Sequence, residues 1–190
     1  MILETARLRL RPFEAKDWAD YLAYFNDAEL LRDLGYRPFV SEEDFRGDFQ
    51  WRLDNPRVLA LVCKASGRVV GHVCVSEPDD WFLGLPELHG KRAKGLSFAL
   101  HRGQRRQGLM REALTAVLDA LFDGGIDAVC SGYFTFNAAS AALHRSLGFR
   151  ELLRRTDDRR GESAETLLTR ENWAENKRPR TGAPSHRATM

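Results

Sequence analysis

The chain has 190 residues, 43% of them hydrophobic and 29% charged, a size and make-up that suit one domain with a substantial core. It contains no run of about eighteen apolar residues, so no membrane span is expected, and Met1-Ile2-Leu3-Glu4 has neither a basic segment nor an apolar signal core, which points to a cytoplasmic protein. The formal net charge of +2 is contributed by Lys177, Arg178, Arg180 and Arg187 near the end; the body before them has a slight excess of acids and no basic footprint for nucleic acid.

Alternation in Ala6-Arg7-Leu8-Arg9-Leu10-Arg11 predicts a half-buried strand that Pro12 ends. Trp18, Tyr21, Leu22 and Phe25 recur at helical spacing and predict an amphipathic helix over residues 14–25. Residues 30–40 read as a loop. Ser41 and Asp44 then form a capping box ahead of a second helix, with Phe45, Phe49 and Leu53 on its buried side. Two strands, 58–63 and 69–75, make a hairpin through Lys64-Ala65-Ser66-Gly67-Arg68. Residues 77–94, with Pro78, Pro86 and Gly90 around Trp81-Phe82-Leu83, read as a bulky loop that either covers a pocket or packs its own aromatics on the body.

A strand is expected at 95–101 and a helix at 107–122, where Met110, Leu114, Val117, Leu118 and Leu121 line one face. A short strand at 127–130 follows, then Phe134-Thr135-Phe136 and a helix at 137–147 that Gly148 stops. Strands at 149–153 and 164–169 close the body around a charged loop, 156–162. Cys63, Cys74 and Cys130 all lie in apolar strand-like runs without metal-ligand spacing, so reduced core cysteines and no metal site are expected. Residues 1–175 form the domain, and the prolines and charges of 176–190 suggest a basic disordered tail. The order of elements is mixed α/β, matching neither a fully parallel sheet nor an all-β pattern.

One turn carries chemistry. In Phe98-Ala99-Leu100-His101-Arg102-Gly103-Gln104-Arg105-Arg106-Gln107-Gly108-Leu109-Met110 a strand runs into a helix whose first N–H groups have no intrahelical acceptor and favour an anion. Gly108 lets an anion approach the backbone, and Arg102, Arg105 and Arg106 add positive charge. Neither GxxxxGK[ST] nor GxGxxG is present, which disfavours a phosphate-loop nucleotidase and leaves the anion unidentified.

The same turn resembles the acyl-coenzyme A motif of the GNAT acetyltransferases, [Q/R]-x-x-G-x-[G/A], with Arg105 and Gly108 in the first and fourth places and Met110 where glycine or alanine is usual. Asn137-Ala138-Ala139-Ser140-Ala141-Ala142-Leu143-His144-Arg145-Ser146-Leu147-Gly148-Phe149 is similar to the family's N-x-x-[S/A]…G-F segment. Glu165-Thr166-Leu167-Leu168-Thr169-Arg170-Glu171-Asn172-Trp173 resembles the closing strand of the branch that contains the ribosomal-protein N-terminal acetyltransferases, and Leu8-Arg9-Leu10-Arg11-Pro12 near the start adds to the resemblance to the family. The pieces stand in the family's order and span about residues 4–174.

This resemblance implies an α/β, GNAT-like acyl-CoA N-acyltransferase fold with a mixed sheet of about seven strands and about four helices. It implies acetyl-CoA as cofactor, with Phe98, Ala99, Leu100 and His101 beside the pantetheine arm and the backbone of Arg105, Arg106, Gln107, Gly108, Leu109 and Met110 at the diphosphate. It places Asn137 and Ser140 near the arm and the sulfur, where the Ser140 hydroxyl could donate to a thiolate; read without it, Asn137 is a helix cap and Ser140 satisfies a backbone donor. His144 stands where many members have the tyrosine that protonates the leaving thiolate, and reads either as that acid or as a residue packed between Leu143 and Leu147. Glu77 is the expected catalytic base, with His72 and His89 as further candidates. The acceptor implied is a small amine or a protein N-terminus that attacks the acetyl group directly, in a pocket shaped by the first two helices and residues 77–94. The alternative is an acyl-CoA-binding regulatory module without transfer activity, and a homodimer through the aromatic loop is left open.

Overall fold

The computed structural model describes residues 1–157 and 160–177, with the backbone alone for Asp157. Most of the expected tail, 178–190, therefore lies outside the described residues. Eight strands form one sheet in the order β1-β2-β3-β4-β5-β6-β8-β7, from β1 (Leu3–Glu4), β2 (Leu8–Pro12), β3 (Val58–Cys63), β4 (Val69–Ser76), β5 (Ala93–Leu100), β6 (Ala128–Phe134), β7 (Arg150–Asp157) and β8 (Gly161–Thr169). Every neighbouring pair is antiparallel except β5 and β6, which run parallel because a helix, α5 (Leu109–Asp123), carries the chain back between them.

Alternation along the strands sends side chains to two cores. On one face Leu8, Leu10, Leu59, Leu61, Val73, Val75 and Leu96 meet the apolar side of α5 and Leu147 of α6 (Ala138–Leu147). On the other, Val58, Ala60 and Ala99 meet aromatic residues of α1 (Trp18–Phe25) and α3 (Glu42–Asp54) and the leucines of α2 (Ala28–Asp33). The Ser41–Asp44 capping box starts α3 as expected, with the Asp44 N–H donating to Ser41 Oγ at 3.1 Å. A third cluster joins Phe82 of α4 (Asp80–Leu83) and Leu88 to Ala128, Cys130 and Leu167 on this second face.

Several elements correct the sequence reading. Residues 30–40 are not all loop: Asp27 caps α2 through the N–H groups of Glu29 and Leu30, and the buried Leu30 and Leu31 hold the short helix down. The 77–94 segment contains α4, pinned by Phe82. The short strand expected at 127–130 runs on to Phe134, since β6 pairs with β8 from Ala128↔Thr169 to Phe134↔Ser163. The charged segment expected as a loop at 156–162 carries strand at both described ends: after a register shift between Glu151 and Leu153, β7 and β8 pair on to Asp157↔Gly161, because an arm at the sheet edge can keep its ladder while charges such as Arg154 and Glu162 remain in water. A helix, α7 (Arg170–Lys177), follows β8 and includes the first two residues of the expected tail; it buries Trp173, whose Nε1–H donates to Asp119 at 2.8 Å.

Candidate active site

The site begins where the sheet opens. β5 and β6 share only the pairs Ala93↔Ala128, Lys94↔Val129 and Gly95↔Cys130; beyond them β5 stays paired to β4 while β6 diverges. At the fork the Ser131 hydroxyl donates to the Leu96 carbonyl at 2.8 Å, bridging strands that no longer share a ladder. A cavity of about 1260 Å³ passes through the opening. Single-ligand pockets run from about 300 to 1,000 Å³, so this one has room for two reactants.

On the α5 face the cavity meets the turn between β5 and α5. Arg106 is the one described non-glycine residue with positive φ (63°), and Gly108 follows at 77°. Such alternation turns successive N–H groups toward one side, a concavity suited to an anion. The first helical bond, Glu112 N–H to Gly108 O at 3.0 Å, leaves the N–H groups of Leu109, Met110 and Arg111 outside the helix ladder on the cavity side. The side chains of Leu109 and Met110 are buried in the first core. Gln107 is exposed and donates to the Gly103 carbonyl at 3.2 Å, while His101 Nδ1 accepts the Gly103 N–H at 3.0 Å. Arg105 leans across to α2, its guanidinium 3.6 Å from both Glu29 and Asp33. Behind the turn, Arg7 donates to the Gln107 carbonyl at 2.8 Å and to Glu112 at 2.7 Å, and Thr5 donates to Glu112 at 2.6 Å. Burial opposes ionisation of Glu112, but the hydrogen bonds from Thr5 and Arg7 outweigh it and hold the carboxyl below its ordinary value.

Along β5, Phe98 is half-buried with its ring 5.5 Å from that of His144, while Ala99 and Leu100 are buried. At the start of α6, Asn137 Oδ1 accepts the Ser140 N–H at 3.0 Å, so its carbonyl is engaged as a cap. Asn137 and Ser140 both line the cavity. His144 lies one turn behind Ser140, buried among Phe98, Tyr133 and Phe149. Its Nδ1 is 2.8 Å from the Ser140 carbonyl and its Nε2 is 2.9 Å from Ser131 Oγ. Burial holds the ring neutral, with its pKa lowered to about 4 even though the Ser140 carbonyl favours the charged form. With one ring proton on Nδ1, the single hydrogen of Ser131 is shared between Nε2 and the Leu96 carbonyl.

Of the expected proton acceptors, Glu77 is exposed and paired with Lys94, which holds its carboxyl below the ordinary value; it is not part of the cavity wall. His72 is buried beside Tyr24, 3.0 Å from its hydroxyl, and burial together with Arg52 pushes it well below the ordinary imidazole value. His89 is exposed. On the second face of the sheet the wall instead presents Asp79, Trp81, Arg155 and Glu165. Glu165 and Ser131 were not singled out from sequence: each is one residue of a strand, and only register shows that it meets the cavity.

Residues 7–150 match the family described as Acetyltransferase (GNAT) domain. The chain belongs to this family. A comparison with curated protein sequences returns no significant match. Among solved structures, the GNAT domain here is similar to an acetyltransferase (GNAT family) from Bacillus anthracis, with TM-score 0.75, 17% identity and coverage of 90% of this chain and 99% of that one. It is also similar to ribosomal-protein-S5-alanine acetyltransferase from Vibrio fischeri, with TM-score 0.72, 18% identity and coverage of 91% and 98%. A third similar structure, AAC(6')-Ib in complex with Parmomycin and AcetylCoA, has TM-score 0.69, 17% identity and coverage of 90% and 98%. At these identities the likeness establishes the fold: an α/β GNAT architecture around a mixed sheet. Generic acetyl-CoA-dependent acyl transfer is the activity that membership of this family supports.

Proposed function

We propose that this GNAT domain transfers an acetyl group from acetyl-CoA to a primary amine, on a small molecule or a protein N-terminus, by direct attack. The observation that carries this reading is one continuous cavity. It joins the anion-binding turn at the head of α5 to a wall of carboxylate and aromatic side chains on the opposite face of the sheet. Acetyl-CoA suits the first half chemically: its diphosphate matches the N–H groups around Arg105–Met110, and its peptide-like arm matches β5 at Phe98–His101 beyond the fork. When bound, it supplies an activated acetyl thioester.

In this reading Asn137 and Ser140 flank the reacting end, and the Ser140 hydroxyl donates a hydrogen bond to the departing sulfur. His144, behind Ser140 and outside the cavity wall, holds that end of α6 against the fork through Ser131; held neutral, it acts as the candidate acid only through the Ser140 hydroxyl, 3.4 Å from its Nδ1. The acceptor amine enters from the second face. A protein N-terminus is included because the closing segment resembles the ribosomal-protein branch, and an 18% identical structure of that kind shares the fold.

The test is thiol release with acetyl-CoA and a panel of small and peptide amines. Release that depends on both reactants is the expected result. Tight acetyl-CoA binding with no release from any amine would favour the regulatory acyl-CoA-binding module instead. Replacing His144 with alanine should lower turnover far more than it changes acetyl-CoA affinity; unchanged turnover would remove it as the acid.

A further inference from the structure

The His144 ring is packed among Phe98, Tyr133 and Phe149, outside the cavity wall, yet each of its nitrogens reaches a serine that lines the cavity. Ser131 follows Cys130 of the third core cluster by one residue in β6, so it points to the opposite face, toward α6. Its Oγ is 2.9 Å from Nε2 and is kept in place by the Leu96 carbonyl at 2.8 Å. Ser140 meets the other side of the ring, with its carbonyl 2.8 Å and its hydroxyl 3.4 Å from Nδ1. Among the described residues the ring nitrogens have no other hydrogen-bond partner. The ring therefore joins two cavity-lining hydroxyls, one at the fork and one at the head of α6.

With its pKa lowered to about 4 by burial, the ring holds no spare proton at neutral pH. It can release the proton on Nδ1 only while it takes one at Nε2, and Ser131 is the group placed there to give it. The reaction has the matching need: after attack the acceptor nitrogen carries one proton too many, and the departing sulfur lacks one. Resting on the transfer reading above, we propose that Ser131 and Ser140 are the two ends of a proton relay through His144, which carries the surplus proton of the acceptor nitrogen to the sulfur of coenzyme A.

The step balances. The acceptor loses its ammonium proton to solvent, and the lone pair of the neutral amine forms the bond to the acetyl carbon. As the nitrogen then passes a proton to Ser131 Oγ, the Ser131 hydrogen passes to Nε2, the Nδ1 proton to Ser140 Oγ and the Ser140 hydrogen to sulfur. The carbon–sulfur bond breaks with its electron pair on that sulfur, and the thiol leaves. No residue ends charged; the ring has exchanged one tautomer for the other. Once the products are gone, water takes a proton at Ser131 and supplies one at Ser140, which runs the chain backwards and restores the starting tautomer.

The test follows single-turnover thiol release by the full chain, with the fastest acceptor of the amine panel, in mixtures of water and heavy water. Wild type should show a bowed dependence of rate on deuterium fraction, the mark of several protons moving together; a straight line would overturn the relay. Ser131→Ala should slow release by about 100-fold or more, as loss of an acid–base group does, with acetyl-CoA affinity within about twofold. Ser131→Thr, which keeps a hydroxyl, should recover about a tenth of the wild-type rate or more. The double variant Ser131→Ala/His144→Ala should be no slower than the slower single variant, since the members act as one unit, and multiplied losses would overturn the relay. Thr166→Val removes a neighbouring buried hydroxyl that donates to the Ser131 carbonyl at 2.8 Å, and the rate should stay within about threefold of wild type. A loss there equal to that of Ser131→Ala would assign Ser131 to the fold and not to the relay. Wild-type release by Ser131→Ala would overturn the relay alone. No release by the wild type from any amine, with acetyl-CoA bound, would overturn the transfer reading and the relay with it.

Discussion

A side chain at position 108 would have room, because the nearest atom to a Cβ there is Arg7 Nη2 at 3.5 Å; the obstacle is the backbone, at φ 77°. For an L-residue that conformation costs about 1–2 kcal/mol, and relaxing it would turn the N–H groups away from the cavity. Gly108→Val should weaken acetyl-CoA binding by about tenfold or more, whereas Gln107→Ala should change it by less than about twofold. Calorimetric titration decides, and equal affinities for both variants and wild type would rule out the anion-binding turn. His144 makes a different kind of prediction. Its folded pKa lies near 4 against an ordinary 6.5, so between those values the unfolded chain binds more protons and stability falls as pH is lowered. From pH 7 to pH 5 this one ring should cost roughly 2 kcal/mol. Urea melts at the two pH values should show a correspondingly smaller acid loss in His144→Gln; His72, also held neutral, accounts for part of the remainder. Asn137, Ser140 and His144 could be singled out from sequence because their segment resembles the family's N-x-x-[S/A]…G-F pattern. Ser131 could not, since its meaning depends on lying between His144 and Leu96.

At the scale of elements, the turn before α5 is held from outside by the segment between β1 and β2. Arg7 ties the Gln107 carbonyl to Glu112, and Thr5 completes the set. Arg7→Ala should raise the acetyl-CoA Kd by about five- to tenfold, or roughly 1 to 1.4 kcal/mol, while the half-exposed ion pair itself adds little to global stability. A titration paired with a thermal melt separates the effects; a large fall in Tm with unchanged Kd would show that Arg7 serves the fold and not the turn. The first strand was legible in its alternation, but Arg7 was legible only as an outward-facing residue of it. The α3 helix was clear because its cap and its buried phenylalanines agree. The short α2 was missed because six residues with two adjacent leucines carry no period, even with Asp27 in place to cap them. The reach of β7 and β8 was hidden for the opposite reason: their outer residues are charged, and the pairing that makes them strands is visible only in three dimensions.

For the whole molecule, the cavity divides the sheet into an antiparallel half, β1 to β5, and a second half of β6 to β8, joined by three parallel register pairs. Acetyl-CoA at one hundred times its Kd should stabilise the fold by about 2.7 kcal/mol. Hydrogen exchange should place the added local protection in residues 96–100 and 105–110, next to the opening, and much less in β1 to β3. Protection confined to β1 to β3 would put the cofactor elsewhere. The mixed α/β class and the order of the main elements were legible because hydrophobic period survives in each. The opening itself was not, because a divergence of two strands leaves no mark on either.

The fork between β5 and β6 bears on how freely this sequence can drift. An opening shaped by main chain, and aimed at a cofactor through N–H and carbonyl groups, asks little of side-chain identity except at Gly108 and at the Ser131 bridge. Chains sharing only 17–18% of their residues with this one superpose on it with TM-scores of 0.69 to 0.75. Selection on such a scaffold can therefore act separately on the acceptor wall. In the proposed reading, positions such as Asp79, Trp81 and Arg155 can change with the acceptor while the turn at the head of α5 stays as it is.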